Sequence, residues 1–240
     1  MTPNNEIRAT VVNLLEDAAQ RIRVDHPGLD VETVPMEGDP PRMLADAARG
    51  AALLVVGGRG HGGFAGLLLG STTLRVLEMA ECPVLVVRGD EVPRTGRIMV
   101  GVDVLDREKS TDALEFAFAE AARRKAELYA TYVWEDPSHV LGRYARLTDD
   151  MFADFEHLQR SQLALVLEPF VQRYPGVAVT QQAFPGAVSR MLVDSTRLVD
   201  ALVIGGDASS ERKSPGMRVG ALAHIVLHHA HCPVFVVPEH

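Results

Sequence analysis

Apolar residues in this chain follow two spacings, one typical of helices and the other typical of buried strands. A three- to four-residue spacing over about 7–24 predicts an amphipathic helix that ends before Pro27-Gly28. Continuous apolar runs over 52–56 and 98–102 predict buried strands. The same patterns predict further helices over 41–49, 71–80 and 110–125, and further strands over 31–34, 84–87 and 128–133.

These strands alternate with helices along the chain, and almost all of their residues are apolar. Strands of this kind are buried on both faces, as in parallel sheets that helices cover on each side. The sequence therefore predicts an α/β fold of doubly wound parallel sheets. Such sheets bind ligands beyond the carboxyl ends of their strands, where the strand order reverses.

The chain also contains an internal repeat. Residues 27–87 match residues 175–237, first at an offset of 148 and then, from Gly70 and Gly220 onward, at an offset of 150. A repeat of this length indicates two copies of one structural unit.

The repeat predicts two modules, over 1–89 and 97–240, joined by the polar segment 90–95. The block 98–148 occurs only once, and its counterpart would fall before Met1. We therefore expect the first module to be incomplete, without the strand, helix and second strand that open the second module.

Composition narrows the class of protein. The net charge of −8 argues against nucleic acid as a partner, since such binders carry a basic surface. No apolar run has the roughly 18 residues of a membrane span, and residues 1–8 lack the order of a signal peptide. Two cysteines, Cys82 and Cys232, exclude a disulfide scaffold and favour a cytoplasmic location.

A glycine-rich loop follows the strand 52–56 of the first module. It contains Gly57 and Gly60, and nine residues later Gly70 and Ser71 open a helix. Glycines let the backbone approach a ligand closely, and the free N–H groups of a helix start suit a phosphate. The alternative is a tight strand-to-helix turn that binds no ligand.

This loop stands beside two further motifs, Val-Gly-Val-Asp at 100–103 and Cys-Pro-Val at 82–84 and 232–234. The combination resembles the universal stress protein family in its tandem two-module form. The resemblance implies an adenine-nucleotide alpha hydrolase-like fold with strand order 3-2-1-4-5. It also implies a non-enzymatic stress-response protein, in a family of which some members bind ATP.

The resemblance further implies which residues would hold a nucleotide. In the family, an Asp after the first strand and a Val at the end of the second hold the adenosine, and the glycine loop with its hydroxyl holds ribose and phosphates. The candidates in this chain are Asp103, Val133, Gly205 and Gly220 in the second module, and Gly57, Gly60, Gly70 and Ser71 in the first.

Neither module is expected to have a complete nucleotide site. The first has the intact loop but not the strand that carries the Asp, whereas the second has Ala208 and Ala221 in place of loop glycine and serine. Asp207 also repels a phosphate beside it. ATP binding is therefore expected to be weak or absent, and a nucleotide-independent dimerisation or interaction protein stays an alternative. A nucleotide-hydrolysing enzyme is the third alternative, for which no catalytic residues are predicted.

Two other features have structural or binding interpretations. Four histidines near the C-terminus suggest a metal site, but comparison with the first module predicts His228 and His231 on the solvent side and His224 and His229 partly buried. No metal is therefore predicted. The strands Val84–Val87 and Val234–Val237 are each expected at a sheet edge, where an exposed apolar strand favours self-association between modules or chains.

Overall fold

The computed structural model describes residues 3–58, 69–88, 94–135, 148–206 and 219–239. Its helices are α1 Pro3–Asp25, α2 Pro40–Ala47, α3 Ser71–Met79, α4 Arg107–Arg124, α5 Asp149–Arg173, α6 Val188–Ser195 and α7 Ala221–His229. Its strands are β1 Leu54–Gly57, β2 Val84–Val87, β3 Arg97–Gly101, β4 Glu127–Trp134, β5 Val179–Pro185, β6 Ala201–Gly205 and β7 Val234–Val237.

All seven strands belong to one sheet in the order β1-β2-β7-β6-β3-β4-β5. Every neighbouring pair is parallel except β2 and β7, which are antiparallel. In the second module the order β5-β4-β3-β6-β7 is the predicted 3-2-1-4-5. The α/β class and the doubly wound order are therefore confirmed.

The two modules share a sheet and a core where β2 meets β7. Val84 lies opposite Val236 and Val86 opposite Val234, and all four side chains are fully buried. One apolar cluster contains these residues together with the inner faces of α3 and α7. Burial of apolar surface is the main stabilising term in folding, so this shared cluster couples the stability of the two modules.

The predicted strand 31–34 is wrong. Residues 26–38 contain no strand, and Val34 is 56% exposed. The Val31 carbonyl instead accepts a hydrogen bond from the Arg23 guanidinium at 2.7 Å. The physical reason is pairing: the corresponding strand of the second module pairs with β4, and the described part of the first module has no counterpart of β4.

Helix α1 confirms the predicted helix but not the burial of its apolar side. Ile7 is 63% exposed and Leu14 is 69% exposed, and Ala19 is the buried residue among the described side chains of α1. In the second module, by contrast, α5 buries Leu163 and Leu167 against the sheet side that α4 also covers. The second module therefore has the better-covered sheet, and its strand ends carry the candidate site.

Candidate functional site

A pocket of about 960 Å³ lies at the carboxyl ends of β3, β4 and β6. This is the position at which doubly wound sheets bind ligands, because the strand order reverses between β3 and β6. The pocket brings together the four candidates of the second module, Asp103, Val133, Gly205 and Gly220.

Asp103 stands two residues after the end of β3 and is held by hydrogen bonds in the turn that leads to α4. Its N–H donates to Ser110 Oγ at 3.0 Å, and the Ser110 hydroxyl donates back to the Asp103 carbonyl at 2.9 Å. The Leu105 N–H donates to Asp103 Oδ1 at 2.9 Å. Ser110 is buried, whereas Asp103 is exposed at the pocket rim. These bonds fix the turn and one carboxylate oxygen, and Asp103 remains accessible where it lines the pocket.

Tyr132 and Val133, near the end of β4, form part of the inner wall. Both side chains are 6% exposed. Burial raises the pKa of Tyr132, and the negative charge of Asp103 raises it further. The phenol therefore stays neutral at physiological pH. A neutral phenol in an apolar wall suits an uncharged part of a ligand.

The amino end of α7 forms another side of the pocket. Gly220 is its N-cap in an extended conformation, and no side chain caps the helix. The first helical hydrogen bond runs from the His224 N–H to the Gly220 carbonyl at 2.9 Å, so the N–H groups of Ala221 to Ala223 have no partner within the helix. Together with the helix dipole, these donors favour an anion such as a phosphate.

The aromatic and amide part of the wall was missed by sequence reasoning. Trp134 is 4% exposed and contacts Phe155 of α5 edge to face, with ring centroids 5.1 Å apart. Gln159 lies one helical turn after Phe155 and is 6% exposed. Gln159 precedes Leu163 and Leu167 at four-residue spacing, and this polar residue on an apolar helix face is the signal that could have found it.

The candidates of the first module lie elsewhere. Gly57 ends β1, and Gly70 and Ser71 begin α3. Because β2 runs antiparallel to β7, β1 and β2 run in the opposite direction to the strands of the second module. Their carboxyl ends therefore lie on the opposite side of the sheet from the strand ends that form the pocket. The two sets of candidates are therefore not brought into one site. Gly60, like Arg59, Asp207 and Ala208, lies outside the described residues.

The described residues that flank the first-module loop are joined by hydrogen bonds. The Thr73 hydroxyl donates to the Gly57 carbonyl at 2.8 Å, and the Gly70 N–H donates to the Gly58 carbonyl at 2.9 Å. A Cβ on Gly58 would come within 3.0 Å of the Arg88 side chain and 3.1 Å of the Val87 carbonyl. The glycine at this position thus fits a close approach of two chain segments.

The expected exposure of the C-terminal histidines is wrong. His224 and His229 are exposed, whereas His228 and His231 are half-buried. Burial lowers the pKa of His228, and the positive charges of nearby His224 and Arg88 lower it further. Arg88, which follows β2 at the junction, thus lies close enough to α7 to affect the pKa of His228, a contact that the comparison between modules could not predict. Within the described residues, no group of three or more His, Cys, Asp or Glu side chains could hold a metal ion.

A helix that crosses a membrane must be long and apolar. None of the helices in the described ranges is both long enough and apolar enough to cross a bilayer.

Comparison with known proteins gives the family. The family model described as "Universal stress protein family" matches residues 4–88 and 95–238. A universal stress protein of Mycolicibacterium smegmatis is 31% identical over 213 residues, which covers 88% of this chain and 69% of that protein. A universal stress protein of Mycobacterium tuberculosis is 29% identical over 236 residues, covering 95% of this chain and 76% of the relative.

Solved structures give the same fold. The crystal structure of a universal stress protein from Archaeoglobus fulgidus superimposes with a TM-score of 0.69 at 23% identity. The match covers 98% of this chain and 78% of that chain. At this identity the likeness shows the fold alone.

Proposed function

Since this chain belongs to the universal stress protein family, we propose that it is a cytoplasmic, non-enzymatic stress-response protein whose second module binds an adenine nucleotide such as ATP weakly. The observation that carries the proposal is the pocket at the ends of β3, β4 and β6. It has a carboxylate, an apolar wall and a helix amino end around one volume.

Each part of the pocket matches one part of a nucleotide. The exposed carboxylate of Asp103 accepts hydrogen bonds from ribose hydroxyls. The wall at Tyr132 and Val133 removes the apolar faces of a base from water. The free N–H groups at the start of α7 face the phosphates, with Gly205 and Gly220 leaving the backbone accessible.

We expect weak affinity for ATP because of the residues that stand at the phosphate end of this pocket. Ala221 stands at the first position of α7, where Ser71 of the first module offers a hydroxyl donor. In the sequence, Asp207 directly follows Gly206 of the pocket lining, and a carboxylate repels a phosphate at short range. The first module does not compensate, because Gly57 at the end of β1 and Gly70 and Ser71 at the start of α3 lie away from this pocket.

Isothermal titration calorimetry with ATP tests this function. We expect saturable binding to the full chain and at least about fivefold weaker binding to Asp103→Ala, since a charge-assisted hydrogen bond to ribose is lost. The matched control is Asp17→Ala on the exposed surface of α1, which should bind as the wild type does. Undetectable binding at millimolar ATP, or equal binding by Asp103→Ala, would falsify the proposal. Release of ADP during the incubation would instead support a nucleotide-hydrolysing enzyme.

The second candidate is an association function that needs no nucleotide. It is favoured because β1 is the outermost strand of the sheet that the described residues form, and because Val55 of β1 (54%) and Val87 of β2 (46%) are exposed. Val84–Val87 and Val234–Val237 pair within one chain, so association through these strands requires exchange between copies. Sedimentation velocity with and without ATP tests it. Concentration-dependent dimerisation that ATP does not alter favours this candidate, and a monomer at all concentrations contradicts it.

A further inference from the structure

Two buried polar atoms on the inner wall of the pocket have no hydrogen-bond partner among the residues that the structure describes. They are Trp134 Nε1 and Gln159 Oε1. Their side chains are 4% and 6% exposed, and both residues line the pocket. One atom is a donor and the other is an acceptor.

An unpaired donor or acceptor in such surroundings destabilises the folded protein, because the group has lost its hydrogen bonds to water. Buried polar groups in native proteins are nearly always paired. A buried donor and a buried acceptor on one pocket wall therefore point to a ligand group that pairs with both.

The two side chains belong to one local cluster. Trp134 ends β4, and its ring contacts Phe152 and Phe155 at centroid distances of 5.7 and 5.1 Å. Gln159 follows Phe155 by four residues, so both lie on the same face of α5. The cluster offers aromatic surface for a flat ring together with one donor and one acceptor for the edge of that ring.

We propose that Trp134 and Gln159 recognise the edge of the bound base. The indole N–H donates to a ring nitrogen, and Gln159 Oε1 accepts from an exocyclic amino group. Both atoms are shielded from bulk solvent. We therefore propose that the Gln159 amide rotates about its side-chain torsions toward the pocket as the base enters. This inference rests on the proposed nucleotide site and names the residues that select an aminopurine there.

Calorimetry with two ligands tests this recognition. ATP carries the exocyclic amino group, and the triphosphate of unsubstituted purine riboside lacks it. We expect the wild type to bind ATP about five- to tenfold more tightly than the purine analogue. In Gln159→Met, which has the same chain length but no amide, this ratio should fall below about twofold.

The chain offers a matched control in Gln162. This residue also lies on α5 and also has a buried Oε1 without a partner in the described part of the chain, but it is not part of the pocket wall. Gln162→Met should keep the wild-type preference for ATP. Trp134→Phe, which keeps an aromatic ring but removes the indole N–H, should weaken ATP binding about three- to tenfold.

The outcomes separate this inference from the proposed function. If ATP binds and depends on Asp103 but Gln159→Met keeps the wild-type ratio, base recognition by Gln159 is wrong and the nucleotide site stands. If Gln159→Met unfolds at lower urea without a change in the ratio, Gln159 stabilises the fold and does not recognise the base. Absence of binding by both triphosphates overturns both proposals.

Discussion

Replacing Val86 by alanine tests whether the two modules unfold as one unit. Val86 belongs to the first module, lies opposite Val234 of the second, and is fully buried in the cluster that both modules share. The substitution removes two methyl groups, which costs about 1.6 kcal/mol in transfer free energy. The cavity that remains adds to this, so we expect a total loss of about 2–3 kcal/mol in the free energy of unfolding.

The matched control is Val55→Ala on the neighbouring strand β1. Val55 is 54% exposed, so the same chemical change leaves no closed cavity and should cost about 0.5 kcal/mol or less. Val55 lies in the outermost strand β1 and Val86 in the inner strand β2, so the control matches the chemical change and not the position in the sheet.

Urea unfolding followed by the fluorescence of Trp134 is the informative assay. Trp134 is the only tryptophan and lies in β4, four strand spacings or roughly 19 Å from β2. With a denaturant slope of about 2–3 kcal/mol/M, Val86→Ala should lower the Trp134 midpoint by about 1 M. An unchanged midpoint, together with a separate early loss of helical circular dichroism, would show that the modules unfold independently and would refute the reasoning.

Two further predictions concern ionisable groups. Asp200→Asn should destabilise the protein by about 1–2 kcal/mol at pH 7, because the carboxylate accepts hydrogen bonds from Thr95 and Gly96. Burial by itself raises the pKa of Asp200, but these hydrogen bonds lower it overall. The stabilisation by the ionised Asp200 carboxylate is therefore present above the unfolded-state pKa of about 3.9, and it is lost as the pH falls through the pKa of the folded state. The urea midpoints of wild type and variant should then converge in acid. Burial raises the pKa of Cys232 to about 12, so the thiol should react with an alkylating reagent at pH 8 only after urea has unfolded the protein. Mass spectrometry can map the modified cysteine. Rapid labelling of Cys232 in the native protein would contradict this prediction.

Sequence patterns were sufficient for elements whose secondary structure is specified by their own residues. The apolar run at β3 and the helical spacing of α1 each specify one element, and both elements form. The pattern over 31–34 also specifies a strand by its own spacing, but a strand exists only if a neighbour accepts its backbone hydrogen bonds. That neighbour is a non-local property, which explains why this prediction was wrong.

The candidate site likewise contains some residues that the sequence could predict and others that it could not. Asp103 and Gly220 could be predicted because each stands at a strand end or a helix start that the sequence marks. The sequence could not predict that Trp134 and Gln159 share one wall, since they are 25 residues apart in the chain and meet only when α5 packs beside the end of β4.

The sequence by itself determined the α/β class, the repeat, the family resemblance and the identity of the candidate residues. Only the tertiary structure decided that β2 and β7 run antiparallel and so place Gly57, at the carboxyl end of β1, away from Asp103. The physical reason is that parallel and antiparallel pairing bury the same apolar side chains, so the pattern of each strand is compatible with both. The direction is set by how whole modules pack across the junction, and no local spacing records it.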